Sequence, residues 1–420
     1  MTFVITDPDM LAAAADELQG IGSALEATNT AAAAPTTGVL PPAADSVSAR
    51  TAALLDAHAQ QYQAFAAQAE SFQNQFVQTL IAAQNSYAET ETANTATMQL
   101  TSATSTPTTT SPTNVALIMG STGNPTPSSA YMMSIEEAYL AQNYPGYTLV
   151  SLQTPEQLFP TTGLASESLN KSIQQGLAIL NNAIMTQTEA GNHVVVVGYS
   201  QSATIASLEM RYLDALPAGI RPSPNLLNFV LLGDPNNPMS GLLTRFAGLD
   251  IPVLNNIPGV NALFNAVTPA NTIYHTAIYT LQYDGIADFP RYPIDLLADL
   301  NAIFGALSLH STYPNLTAAQ LANALLLPVS PGYAGVTSYY LIPATNLPLL
   351  DPLIDLGMPA PIIDLIQPTL QLLVNLGYGT GSANIAAPAG LFPPINLLTL
   401  FAELLQAGGQ GVEDALAATL

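Results

Sequence analysis

Four consecutive valines, Val194 to Val197, run straight into Gly198, Tyr199, Ser200, Gln201 and Ser202, and a helix-compatible stretch from Ala203 to Leu213 begins at once. An unbroken β-branched run is the pattern of a strand buried on both faces, which calls for a parallel sheet covered by helices on either side. The chain must then leave that strand by a sharp turn. Small residues at 198 and 202 permit one, and such a turn lifts a serine hydroxyl clear of the sheet. Position 202 carries Ser where turns of this kind commonly carry Gly, which is still small enough for the helix to pack closely on the strand.

The pattern around this segment agrees. Strands are expected over 115–119, 147–152, 193–198, 226–232 and 273–283, alternating with helices near 135–142, 168–188 and 201–216, which signals a largely parallel α/β sheet. Beyond Leu325 the chain is rich in Leu, Ile and Pro and reads as short helices or loops rather than sheet. Upstream, Leu11, Ala14, Leu18, Ile21 and Leu25 step by three and four, and so do His58, Tyr62, Phe65, Ala69, Phe72, Phe76, Leu80, Ala83 and Tyr87. Two antiparallel helices are implied, broken around Thr36 to Pro42. A second helix of about 45 residues would extend about 65 Å, more than its partner can cover, so the hairpin is expected to leave apolar surface exposed and to need a partner. Thr, Ser and Pro dominate residues 96–114, a linker composition. The expected organisation is a helical hairpin over 1–95, a linker over 96–114, a catalytic α/β domain over 115–380 and a helical tail over 381–420.

Composition excludes several functions. Six Lys and Arg stand against 29 Asp and Glu, a formal charge of −23, which argues against binding nucleic acid or anionic headgroups. There is no cysteine, so a thiolate nucleophile and a zinc-thiolate site are ruled out. No uncharged apolar run approaches the length of a membrane-spanning helix, and the opening residues lack the basic n-region of a Sec-type signal peptide.

A serine hydroxyl needs a base, and the base needs an orienting carboxylate. Four histidines are available. His58 lies on a helical stripe of the hairpin, His193 starts the strand leading to Ser200, and His275 sits near the start of another strand, far from the edge where the serine emerges. His310, in an expected loop downstream of the last strand, is the candidate base. For the acid, the strand ending at Tyr283 runs into Asp284, with Asp288 four residues on as a rival; Asp234 also ends a strand but is expected to bind loop amides. The oxyanion donors are expected to be the amide of Gln201 and that of Ser121 or Thr122, in the loop Gly120–Ser121–Thr122–Gly123–Asn124. No metal or cofactor is required by this chemistry.

Two resemblances follow. Residues 1 to about 95 resemble the PE domain of mycobacterial PE proteins, through the opening Met1 to Met10, the Ala-rich hairpin and the break at Ala34 to Thr37; the name-giving Pro-Glu pair is here Pro8-Asp9. Tyr87 and Glu91 fit that family's Tyr-x-x-x-Asp/Glu signal for type VII secretion. The resemblance implies pairing with a PPE-family protein and a secreted or cell-surface location. Residues from about 115 to 380 resemble the PE-PPE domain, a cutinase-like serine α/β-hydrolase module, through Gly198 to Ser202, Gly120 to Asn124 and Tyr283 to Pro290. That resemblance implies an esterase or lipase acting on short- to medium-chain acyl esters through an acyl-enzyme. Alternatives are acyl transfer onto trehalose or a related glycolipid, and a non-catalytic surface interaction protein. Cutinases normally carry disulfides, which this chain lacks.

Overall fold

The computed structural model describes residues 8–102, 113–163, 166–246 and 267–419. The chain divides into two compact units, Met1–Thr110 and Ser111–Leu420.

The first unit is a helical hairpin, with α1 over Pro8–Thr37 and α2 over Ser46–Ser102. Its antiparallel pairing shows in cross-helix hydrogen bonds: Tyr62 Oη to Asn29 Oδ1 at 2.9 Å near the turn, and Gln73 Nε2 to the Leu18 carbonyl at 2.6 Å further along. At 57 residues, α2 is almost twice the length of α1, which has 30. Ile21, Leu25, Leu54, Leu55 and Phe65 are all at least half exposed, as the unequal lengths imply. Helix α2 continues through Ser102, into the segment expected to be linker, because the first helix-stopping residue after Ser46 is Pro107. Residues 103–112 of that linker, and Met1 to Asp7, lie outside the described residues. So do the side chains of Phe72, Phe76, Leu80, Ala83, Tyr87 and Glu91, although their backbone belongs to α2.

The second unit is built on a seven-stranded sheet. Its strands are β1 (Asn114–Ile118), β2 (Thr148–Ser151), β3 (His193–Tyr199), β4 (Leu227–Leu232), β5 (His275–Leu281), β6 (Leu325–Leu326) and β7 (Thr337–Ile342), in the order β2-β1-β3-β4-β5-β7-β6. All pairs are parallel except the short β6, which runs antiparallel to β7. The valine strand sits between β1 and β4. Alternation sends Val194 and Val196 into one core layer and Val195 and Val197 into the other.

The first layer packs α4 (Leu169–Glu189) and α5 (Gln201–Ala215) on the sheet through Ile173, Leu180, Ile205 and Met210. The other contains Ile135, at the end of α3 (Ser129–Ile135), with Tyr139, Leu140 and Tyr313. Beyond β5 a third cluster joins Tyr283 and Ala298 to Leu347, Leu350, Ile363 and Val374. It packs α6 (Leu296–Ser308) against α7 (Ala360–Tyr378); the last helix, α8, is Leu397–Ala417.

Two expectations are corrected here. The region after Leu325 contributes a full strand: Thr337 to Ile342 pairs in register with Thr276 to Leu281. The six residues Thr-Ser-Tyr-Tyr-Leu-Ile are β-branched and aromatic enough to form a strand, but the surrounding Leu and Pro hide them in any wider window. His310 consequently does not follow the last strand; it precedes β6 and β7, at the head of a 3₁₀ turn, His310–Asn315, directly after α6. Packing of the second unit also continues past residue 380. Ala383 is buried and bonds to the Pro328 carbonyl, and the buried Arg245 donates from Nε to the Phe289 carbonyl and from a terminal nitrogen to that of Ala387 at 2.6 Å.

Helix α6 comes so close to the end of β5 that a Cβ at Gly305 would collide with the Tyr283 carbonyl. Gly305→Ala is therefore expected to displace the helix that delivers His310 and to cost about 1–3 kcal/mol of stability, to be read from urea unfolding.

Candidate active site

Ser200 stands at the junction of β3 and α5 with φ 58° and ψ −115°, a left-handed backbone that a non-glycine residue adopts only under constraint. The constraint is visible. The Ser200 amide donates to the Leu232 carbonyl at 3.0 Å, and the Ala203 amide closes on the Ser200 carbonyl at 3.0 Å. Ser202, fully buried where glycine was the common expectation, does more than fit: its Oγ accepts from the Tyr199 amide at 2.8 Å and lies 3.1 Å from the Tyr199 carbonyl.

His310 meets Ser200 across 110 residues of sequence, with Nε2 at 2.8 Å from Ser200 Oγ. Its other nitrogen, Nδ1, lies 2.9 and 2.8 Å from the two carboxylate oxygens of Asp284. Because a carboxylate only accepts, the network assigns the proton to Nδ1 and leaves Nε2 free to accept from the serine hydroxyl. Asp284 is fully buried and receives further donors, the Ile286 amide at 3.0 Å and Tyr313 Oη at 2.9 Å.

Asp288 does not reach His310. Its Oδ2 accepts from the Tyr283 amide at 2.8 Å, and Tyr283 itself has φ 68°, so Asp288 braces the turn that presents Asp284. Burial pushes its carboxyl up to about 6, partly offset by that amide and by the charge of Arg245. Asp234 bonds to the Asn236 amide at 2.9 Å and to Thr268 Oγ1, and burial likewise raises it to about 6.

Three tyrosines that the sequence reading did not single out hold the histidine turn. Tyr199 Oη donates to the His310 carbonyl, and Tyr139 Oη to the Tyr313 carbonyl at 2.9 Å. Tyr313 Oη accepts from the Leu281 amide at 2.8 Å while donating to Asp284. Burial and the nearby Asp284 charge push the Tyr313 phenol well above its ordinary value, so it remains a donor. Gly233, following β4 with φ 54°, makes room for this group: a Cβ there would sit 2.9 Å from the Tyr313 ring and 3.2 Å from His310 Cε1. The only sequence hint is position, since Tyr199 precedes the serine and Tyr313 lies one helical step from His310.

Thr122 and Gln201 come together as well. Thr122 Oγ1 donates to Gln201 Oε1 at 2.9 Å, and Gln201 Nε2 donates to Ser172 Oγ at 2.8 Å. Among the described residues, the backbone amides of Ser121, Thr122 and Gln201 meet no protein acceptor. His193 lies at the opposite end of β3 from Ser200, with Nδ1 3.1 Å from the Asn225 carbonyl, and His275 starts β5. No group of side chains suited to holding a metal ion occurs among the described residues, and none of the described helices is long and apolar enough to cross a membrane.

A parallel sheet with a serine lifted on the turn after a central strand, and a histidine and buried acid brought to the same edge, defines an α/β-hydrolase-type domain. The PE-PPE domain model matches residues 145–379 and the PE family model residues 4–94. Esterase PE16 of Mycobacterium tuberculosis is 48% identical over 394 residues, covering 94% of this chain and 73% of that protein. PE family protein PE3 of the same organism is 43% identical, covering 99% of this chain and 88% of its own. The chain belongs to the PE family, as a member carrying a PE-PPE domain. Among solved structures, a cutinase-like protein from Cryptococcus sp. is 18% identical and covers 50% of this chain and 93% of its own, with a TM-score of 0.30.

Tyr313→Phe would leave the buried Leu281 amide without its acceptor and remove a donor from Asp284. A loss of about 1–3 kcal/mol in denaturant unfolding is expected, with the backbone fold unchanged by circular dichroism.

Proposed function

We propose that this chain is a serine esterase that hydrolyses short- to medium-chain acyl esters through a covalent acyl-enzyme. The observation that carries the reading is the chain of hydrogen-bond distances from Ser200 Oγ to His310 Nε2 and from His310 Nδ1 to Asp284. Its relative bearing the name esterase supports it.

In this reading Ser200 Oγ attacks the ester carbonyl carbon as its proton passes to His310 Nε2, and Asp284 stabilises the imidazolium that forms. Negative charge collects on the former carbonyl oxygen, where the amides of Gln201 and of Ser121 or Thr122 supply donors. The C–O bond to the alcohol then breaks, His310 returns the proton to the departing oxygen, and the acyl group stays on Ser200. Water repeats the sequence and releases the acid. None of these steps draws on a cofactor. Transfer to a sugar hydroxyl differs only in the acceptor, so incubation with an acyl donor and trehalose, followed by product analysis, separates the two: free acid marks hydrolysis and acyl-trehalose marks transfer.

The proposal extends to the hairpin. Its exposed Ile21, Leu25, Leu54, Leu55 and Phe65 suit docking with a PPE-family protein, and Tyr87 and Glu91 are assigned to the signal for type VII export to the cell surface or beyond.

Turnover of p-nitrophenyl esters of graded chain length provides the test. Ser200→Ala and His310→Ala are expected to lower kcat by about 10⁶-fold, and Asp284→Asn by about 10⁴-fold. Asp288→Asn is expected to retain turnover and lose stability. Loss of turnover in Asp288→Asn with turnover kept in Asp284→Asn would reverse the choice of acid. Failure of a fluorophosphonate probe to label the wild type would remove the hydrolase reading altogether.

A further inference from the structure

We propose that Glu156 is a positioning residue for the oxyanion donors: its carbonyl holds the loop that carries Ser121 and Thr122, and its buried carboxyl, bonded to Thr154, holds that carbonyl in place. The inference rests on the hydrolase reading above and deepens it.

Strand β2 lies beside β1, and the chain leaving it at Leu152, whose amide bonds to the Ile118 carbonyl at 2.9 Å, stays next to the chain leaving β1. There the Gly123 amide donates to the Glu156 carbonyl at 2.8 Å, while the Asn124 amide closes the turn on the Ser121 carbonyl at 2.8 Å. These two bonds consume the amides of Gly123 and Asn124 and leave those of Ser121 and Thr122 for a ligand. The next residue serves the other donor. The Gln157 amide bonds to Ser172 Oγ at 2.8 Å, the same oxygen that receives Gln201 Nε2. One dipeptide thus tethers both sources of oxyanion donors.

Glu156 holds its carbonyl in place with φ 48°. Among the described residues only three non-glycine residues have a left-handed backbone, and the other two are Ser200 and Tyr283, the residue before Asp284. Strain of this kind persists where surrounding structure over-determines it and clusters at functional sites.

The carboxyl side chain supplies the second half of the argument. It is fully buried; Oε1 accepts from Thr154 Oγ1 at 2.7 Å, and Oε2 has no partner. No cation faces it. The titratable group opposite is Tyr131 of α3, whose Oη donates to the Met119 carbonyl at 3.3 Å. Burial without a counter-charge pushes the Glu156 carboxyl up to about 8. At neutral pH it is a buried neutral acid. Above about pH 8 it becomes a buried anion without a counter-charge, which strains the segment whose carbonyl holds the Gly123 amide.

The experiment measures kcat and KM for p-nitrophenyl butyrate from pH 6 to 10 in the wild-type full-length chain, Glu156→Gln and Glu156→Ala, with fluorophosphonate labelling and thermal unfolding of each. Wild-type kcat is expected to fall above about pH 8 while KM holds. Glu156→Ala should lose on the order of 10²-fold in kcat, as expected when an oxyanion donor is misplaced. Glu156→Gln, which keeps the shape of the protonated acid, should rescue that loss and abolish the alkaline fall. Stability provides a readout independent of turnover. An acid raised in the folded state holds its stability contribution at low pH and loses it as pH rises towards 8, so the wild type should weaken across that window relative to Glu156→Gln. An alkaline fall that is unchanged in Glu156→Gln, or Glu156→Ala losing only stability with kcat per folded molecule intact, would overturn the positioning role. A wild type that neither labels nor turns over ester would sink the hydrolase reading, and this role with it.

Discussion

The arrangement of the candidate site in the second unit depends on one backbone constraint, the left-handed turn at Ser200. That turn is unfavourable in isolation and is maintained because both ends are immobile. The valine strand before it is buried on both faces and bonded to β1 and β4, and α5 after it is packed into the core. Ser202 supplies the local brace by returning its hydroxyl to Tyr199. The strand's burial therefore shapes the candidate site as well as the core, because a looser strand would let the serine relax into an ordinary backbone.

The partners of Ser200 are held in another way. His310 is delivered by a short 3₁₀ turn at the end of a helix, an element with little rigidity of its own. Its orientation comes from tyrosine hydrogen bonds: Tyr199, at the end of β3, donates to the His310 carbonyl, and Tyr313, in the same turn as His310, ties that turn to β5 and to Asp284. Gly233 is the clearance that lets these rings approach. The candidate site is thus a rigidly held serine facing a histidine whose position is secured by phenol hydrogen bonds.

Much of this was legible in the sequence. The valine run, the small residues flanking Ser200 and the alternation of strands and helices follow directly from periodicity, which is a local property. With four histidines, elimination by position left His310, and the structure brings it together with Asp284 and Ser200. What could not be read was long-range or hidden by neighbours. Strand β7 is six residues inside a Leu- and Pro-rich region, and only its register with β5 reveals it. Asp284 and Asp288 lie four residues apart in one loop, and nothing local distinguishes an acid facing the histidine from one bracing a turn. Glu156 has no sequence signature because its importance comes from the hydrogen bond of its carbonyl to another loop.

The buried Arg245 has a consequence for where this domain ends. Its guanidinium is shared between the Phe289 carbonyl, in the loop after Asp284, and the Ala387 carbonyl, while the PE-PPE match stops at residue 379. A polypeptide trimmed at the edge of that match would keep the cation and discard one of its two acceptors among the described residues, at a cost of about 1.5–3 kcal/mol. Kinship and cooperative folding draw different borders on this chain, and the electrostatic one lies further along.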